Sequence, residues 1–499
     1  MSRFGFCDGT YQSISPNIDA EFCMNLMPQM PESSGAKTSI ALIGTPGRTV
    51  FTDLGGSVNR GGITLNNRAF EVVDGTFWEI FTTGGGSSIA RGTIANDRLP
   101  VSMASASSTA NQILIASAGI AYTYDLTTNA ITPVDPAQLS NVSEVAYLDG
   151  FYVALFKNSN KIQASAPLDA TTWPGDSATV VSVYPDNIVG IQVFREELWC
   201  MGLKASTPYA DAGTSPFPFA VNTSAGVIEM GLAAQFSKVL LDNSLFWFGQ
   251  DSRGARIVWR ANGYTPQRMS NFACEAAWNT YSRVDDAIAY GYQEAGQSFY
   301  VLRFPTANAT WVFDVSCNRW HQRGRWDGVK FNAEPTLNHI YAFGLHLMGD
   351  ATSGKVYSQS LANLSDSGAN IRRVRRAPYV SSEQTRIFHH QLQIDMETGL
   401  GPQPPFLDGD GNPRGPLAYL RWSDDGAHTW SDYQEADCGQ DGEYSKRIIW
   451  SRLGESRNRC YELSMDDPIP WRIVDAYLSA TPGYQMPTER LAAQLRKSS

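Results

Sequence analysis

The chain has 499 residues, enough for two or three domains, with 42% hydrophobic and 11% aromatic residues to fill real cores and only 18% charged residues. Its formal net charge of −10 argues against a protein that grips nucleic acid over its whole surface. No stretch approaches the ~18 apolar residues of a membrane span, and no charged-then-apolar leader stands at the start, so neither membrane insertion nor secretion is expected.

Residues 1–35 lack periodicity and end in a turn-rich cluster, which reads as an N-terminal arm laid over a surface. From 36 to 366 the chain repeats. "YTYDLTTNAIT" (122–132) matches "WVFDVSCNRWH" (311–321) position for position, pairing Asp125 with Asp314 and Asn129 with Asn318. Both read as hairpins in which Asp and Asn bond their own backbone and tolerate left-handed φ. Strand pairs closing on a turn recur around 69–80, 121–132, 161–173, 206–217, 256–268, 310–320 and 354–366. Spacings of about 40 to 55 residues are those of four-stranded propeller blades. A blade cannot bury both faces of its sheet alone, so Trp247, Trp259, Trp311 and Trp320 are expected to fill seams between neighbours. The fold class is therefore all-β: a β-propeller over 36–366 with seven blades favoured and six the alternative.

The segment 367–386, with "IRRVRRAP", is polar and basic and reads as a linker. As a strand it would carry Arg373 and Arg375 on one face and Arg372 and Arg376 on the other. Its readings are a solvated linker, a salt-bridged contact with an acidic neighbouring subunit, or DNA phosphate contact. Residues 387–480 give about six strands with tight turns at "SDDGAH" and "GESRN", expected as a small β-sandwich-like domain. The 481–499 tail carries the one convincing helical pattern, Leu491 and Leu495 behind a possible Thr488 cap.

Motifs that could carry chemistry fall short of it. "SDDGAHTW" (423–430) resembles the Asp-box of sialidase propellers, with Ser423, Asp425, Thr429 and Trp430 in register and Ala427 where the box has Gly. That box is a structural turn, and one copy gives no locator for an arginine triad or a tyrosine nucleophile. "DGDGNPRG" (408–415) opens like a calcium loop, yet Pro413 stands where the tight-turn Gly belongs and Tyr419 where the bidentate Glu belongs. His389 and His390 are adjacent and point to opposite strand faces, and the other histidines are single, so no metal-ligand spacing emerges. Nucleophile elbow, P-loop and dinucleotide fingerprint are missing. The seven cysteines are scattered without a Cys-x-x-Cys and read as reduced, packed thiols of a protein folded in cytosol. No enzyme, cofactor or metal is expected.

Several segments, in order, resemble a known family: "CMNLMPQMP…ALIGTPG", "WFGQDSRGARIVWRANGYTPQRMS", "GQSFYVLRFPTANATWVFDVSCNRWHQR", and "IRRVRRAPYVSSEQTRIFHHQLQIDMETGLG" followed by "LRWSDDGAHTWS". Together they resemble the packaged-DNA stabilisation, or tail nozzle, proteins of short-tailed bacteriophages. The resemblance implies a structural virion protein in a six-fold ring below the portal and its head-to-tail adaptor. Such a ring extends the DNA channel, helps to retain the packaged genome, and meets tail fibres, tailspikes or a needle distally. Double-stranded DNA would pass without sequence-specific binding. Localisation would be the virion tail, with assembly in host cytoplasm. Arg372, Arg373, Arg375 and Arg376 are then expected at a subunit or partner interface. The alternative is a carbohydrate-binding or depolymerising phage tail protein, which would need exposed aromatics beside carboxylates on a groove.

Overall fold

The computed structural model describes all residues except 8, 10, 11, 34, 83–86, 107–110, 252, 384 and 484–499. The expected helix behind Thr488 lies outside the described residues. Two compact units are present, one spanning 46–369 and the other combining 1–45 with 370–499.

The 46–369 unit is a β-propeller, within the expected range of blades. Among the described residues its sheets, each built on at least four antiparallel strands, span 59–93, 102–133, 142–180, 188–221, 231–268 and 288–326, and a seventh joins 336–360 to Gly47–Asp53. In that last sheet Gly47–Asp53 is the fourth strand, paired antiparallel with Lys355–Ser360 and parallel with Ser365–Asp366 on its other edge, so a strand from the start of the unit completes its final blade. The local turn pattern at 354–366 had suggested a self-contained strand pair there. The partner strand lies about three hundred residues away, a separation no local pattern can reveal.

The paired turns behave as their residues dictate. Asp125 accepts from the Thr127 and Thr128 amides at 2.7 and 3.0 Å, and Asp314 from the Ser316 and Cys317 amides at 2.9 and 3.3 Å. Asn129 and Asn318 follow at φ 57° and 52°. The two hairpins supply the third and fourth strands of the second and sixth sheets, four blades apart.

Apolar clusters lie between consecutive sheets. Phe70, Phe77 and Tyr124 join the first and second, and Phe194, Trp199, Trp247 and Trp259 the fourth and fifth. Between the fifth and sixth sits a helix, Phe272–Asn279, capped by Asn271, whose side chain accepts from the Cys274 amide at 2.9 Å. Its Trp278 packs edge-on against Trp311 and Trp320, with ring centroids 6.0 and 5.5 Å away. Trp247, Trp259, Trp311 and Trp320 are all buried, as expected for seam residues.

In the second unit, one sheet runs through Leu26–Gln29, Ala41–Gly44, Arg472–Pro482, Ile387–Met396 and Ile448–Ser451, and Ser2–Phe4 pairs with Arg472–Pro482. The other runs through Phe22–Met24, Arg373–Arg376, Asn458–Met465, Leu417–Ser423 and Gln434–Asp437. Phe6, Cys7, Cys23 and Leu26 belong to the core between them. This corrects two expectations: residues 1–35 are not an arm over a surface but supply strands, and 367–386 is not a linker, because Arg373–Arg376 is an interior strand. These pairings bridge about 350 to 470 residues of sequence, with registers such as Cys23 opposite Arg375 and Arg3 opposite Tyr477. All seven cysteines are buried, and none forms a disulfide among the described residues.

Trp320→Ala is expected to cost about 3–5 kcal/mol, the range for emptying a buried large aromatic. Equilibrium denaturation measures it, and a loss below about 1 kcal/mol would remove Trp320 from the seam.

Candidate functional site

The basic run is a strand whose side chains alternate as its sequence requires. Arg373 and Arg375 point inward and are 1% and 0% exposed. Arg375 donates to the Phe6 carbonyl at 2.6 Å and pairs with Glu21 at 3.1 Å. Arg373 donates to the Ile371 carbonyl at 3.1 Å and lies against Gly44, where a Cβ would stand 2.6 Å from its Nε. Burial pushes the Arg373 guanidinium down to about 10, with Asp466 opposing. Of the four arginines expected at an interface, these two are excluded from solvent and serve the interior of the sandwich. The reason is long-range: the acidic partner of Arg375, Glu21, comes from the N-terminal segment, next to the strand Phe22–Met24.

Arg372 and Arg376 point outward, each with a side chain 18% exposed. They begin a ladder of cations and rings. Arg376 lies over Phe22 at 5.5 Å and Trp430 at 4.7 Å; Arg421 lies over Trp430 at 4.7 Å and Tyr433 at 4.9 Å; Arg372 lies over Tyr433 at 5.8 Å. Glu462, almost fully buried, clamps the ladder by accepting from Arg376 Nη2 at 2.8 Å and Arg421 Nε at 2.6 Å. Arg372 donates to the Tyr433 hydroxyl at 2.9 Å and pairs with Asp466.

The Asp-box turn positions one rung. Asp425 accepts from Ser423 Oγ at 2.8 Å, Thr429 Oγ1 at 2.6 Å and the His428 and Thr429 amides, which holds its carboxyl far below the usual range and fixes the turn leading to Trp430. It is thus a structural turn. Sequence reasoning picked out the arginines and Trp430 separately but missed Glu462, Arg421 and Tyr433. Their assembly follows from registers such as Arg421 opposite Glu462 and Arg376 opposite Glu462, on strands distant in sequence.

The other singled-out groups are structural. Asp408 spends its carboxylate on the Asp410 and Asn412 amides of its own turn. His389 is buried between the Tyr461 hydroxyl at 2.8 Å and Ser456 Oγ at 2.9 Å, and burial pushes it down to about 4, while His390 is exposed on the opposite face. Along the propeller axis a cavity of about 290 Å³ is lined by inner-strand residues including Arg60, Gln192, Tyr290 and Asn338. Its charges are internally matched: Lys238 pairs with Glu144 at 2.8 Å, and Arg60 with Asp97 at 2.7 Å. Among the described residues no three His, Cys, Asp or Glu side chains are grouped to hold a metal ion.

The family profile described as "Bacteriophage P22 Gp10, beta-propeller" matches residues 3–362, and that described as "Bacteriophage P22 Gp10, beta-sandwich" matches 372–481. No curated protein matches the sequence. Among solved structures, the computationally designed Ika8 protein aligns at 12% identity and TM-score 0.36, covering 62% of this chain and 99% of its own. The extracellular domain of the putative one-component system BT4673 from B. thetaiotaomicron aligns at 12% identity and TM-score 0.41, covering 88% of this chain and 61% of its own. The RRP9 WD40 repeats align at 9% identity and TM-score 0.39, covering 64% and 99%.

Removing one partner of a buried pair leaves the other charge uncompensated. Arg375→Ala is therefore expected to destabilise by about 3–5 kcal/mol. Arg386→Ala breaks an exposed pair with Glu455 and is expected to cost under about 1 kcal/mol. Thermal unfolding of the two variants side by side checks the contrast, and equal losses would mean that Arg375 is not an interior charge.

Proposed function

On the premise that this chain belongs to the family of bacteriophage P22 Gp10, we propose that it forms a ring, six-fold in symmetry, which serves as the tail nozzle below the portal and adaptor. Membership of that family makes the chain a structural protein of the phage tail. In the proposed role the ring extends the DNA channel, helps to retain the packaged genome and later conducts it, and carries fibres, tailspikes or a needle below. Subunits would assemble in host cytoplasm before joining the virion.

The observation that carries this reading is the consecutive match of both parts of the family, propeller then sandwich, across nearly the whole chain. Two properties support it. The excess of acidic residues suits a conduit through which DNA must slide, since a cationic lumen would hold the duplex. The aromatic seams and matched interior charges give a stiff building block. Of the basic run, Arg372 and Arg376, with Tyr433, are the side chains we assign to a subunit or partner contact. Screening over about 8 Å lets like-charged subunits approach, but close contacts need local opposite charge. The reading as a carbohydrate-binding tail protein gains no support from the ladder, because its rings are engaged by guanidinium groups.

Negative-stain imaging of the purified chain, alone and with adaptor, is expected to give six-fold rings with a central pore; a monomer under both conditions would overturn the nozzle reading. Arg372→Ala combined with Tyr433→Ala is expected to reduce ring formation or docking to the tail, with stability kept within about 1 kcal/mol because the Arg372 ion pair is partly solvated. Normal assembly accompanied by abnormal DNA retention would instead place Arg372 in the channel.

A further inference from the structure

The seam between the first and last blades contains a carboxyl group that no cation meets among the described residues. Glu71, on Arg68–Val73, is 0% exposed, as is Asn59 on the adjacent inner strand. Asn338, from the inner strand Thr336–Ala342 of the last blade, donates through Nδ2 to Glu71 Oε2 at 2.9 Å. The Asn59 amide also lies close enough to favour the Glu71 carboxylate, yet among the described residues no well-formed hydrogen bond satisfies the acceptors Glu71 Oε1 and Asn338 Oδ1 or the donor Asn59 Nδ2. Room for the group is made by two glycines. A Cβ on Gly62 would lie 2.5 Å from Glu71 Oε1, and one on Gly349 would overlap Asn338 Oδ1 and lie 2.6 Å from Asn59 Nδ2.

Every charged group on the packed elements is engaged elsewhere. Arg60 binds Asp97 and Ser117, Glu79 binds Arg68 and Arg91, and Asp350 binds Thr352, Ser353 and Tyr357. His339 meets His346 at 3.1 Å, and burial lowers both, so neither supplies positive charge near neutrality. Glu71 forms no ion pair among the described residues. An isolated buried carboxylate is far more costly than its acid, and a proton on the carboxyl supplies the hydrogen that its two orphaned acceptors lack.

We propose that Glu71 is a neutral carboxylic acid that fastens the first blade to the last, and that its ionisation is an alkaline switch that loosens the closure of the propeller. Burial raises its pKa to about 8 from the ordinary 4.5, outweighing the Asn338 and Asn59 amides, which lower it. Because the folded value is the higher one, the stabilisation is complete below the unfolded value and is lost as pH rises through the folded one. The opening constant of this seam should then rise about tenfold per pH unit between pH 6 and 8 and level off above.

Hydrogen exchange of the full chain, read by mass spectrometry and corrected for base catalysis, tests this on peptides covering 59–65 and 336–342, with 188–202 in another seam as the internal control. The expected result is alkaline opening at the closure seam alone; equal acceleration in the control peptides overturns the proposal. Glu71→Gln keeps the shape without the titration and is expected to melt near the wild type at pH 6 while losing the decline in Tm towards pH 9. A Gln variant with the full wild-type decline overturns the assignment to Glu71.

Discussion

The ring depends on one strand. Gly47–Asp53 completes the last blade from the start of the propeller, and without it Lys355–Ser360 would be left with an unpaired edge and the two ends of the unit would not be joined in one sheet. The strand is fixed by a buried charge as well as by its ladder. Arg48 reaches Glu334 at 2.7 Å and Asp366 at 3.0 Å, with all three side chains less than a tenth exposed. One cation shared by two carboxylates raises the Arg48 pKa against the cost of burial. Such a cluster is poor evidence of net stability, but it penalises any other register of the closing strand, since a slipped Arg48 would strand three charges.

The sandwich follows the same logic. "RVRR" is an improbable interior strand on hydrophobic patterning, yet it lies between Phe22–Met24 and Asn458–Met465. Its inward Arg375 is met by Glu21 and its outward Arg376 by Glu462. Charge matching across strands here takes the place that apolar alternation holds in the blades. The N-terminal segment is thereby obligatory, because it carries both a carboxylate partner and part of the core.

A protein organised this way has its ionisable groups committed to architecture. The Asp-box carboxylate holds a turn, the buried histidine His389 holds two hydroxyls, and the axial charges neutralise one another. Burial keeps cysteine thiols unreactive, with Cys7 and Cys438 pushed up to about 12. This suits a component that must be stiff and chemically quiet, and it leaves surface contacts as the place where function resides.

The sequence by itself determined whatever is written within about fifty residues. The Asp-x-x-x-Asn hairpins, the blade interval, the seam tryptophans and the facing of Arg372 and Arg376 away from Arg373 and Arg375 all follow from strand periodicity and turn chemistry. The structural character of the Asp-box was legible in the same way. What only the tertiary structure decided involves partners far apart in the chain. The closing strand, the joining of residues 1–45 to the C-terminal sandwich, the burial of Arg373 and Arg375, the Glu462 clamp and the Glu71 seam each need a register between segments separated by tens to hundreds of residues. Local propensity carries no information on such registers, because they are selected by which buried charges and polar atoms find partners once the sheets have packed.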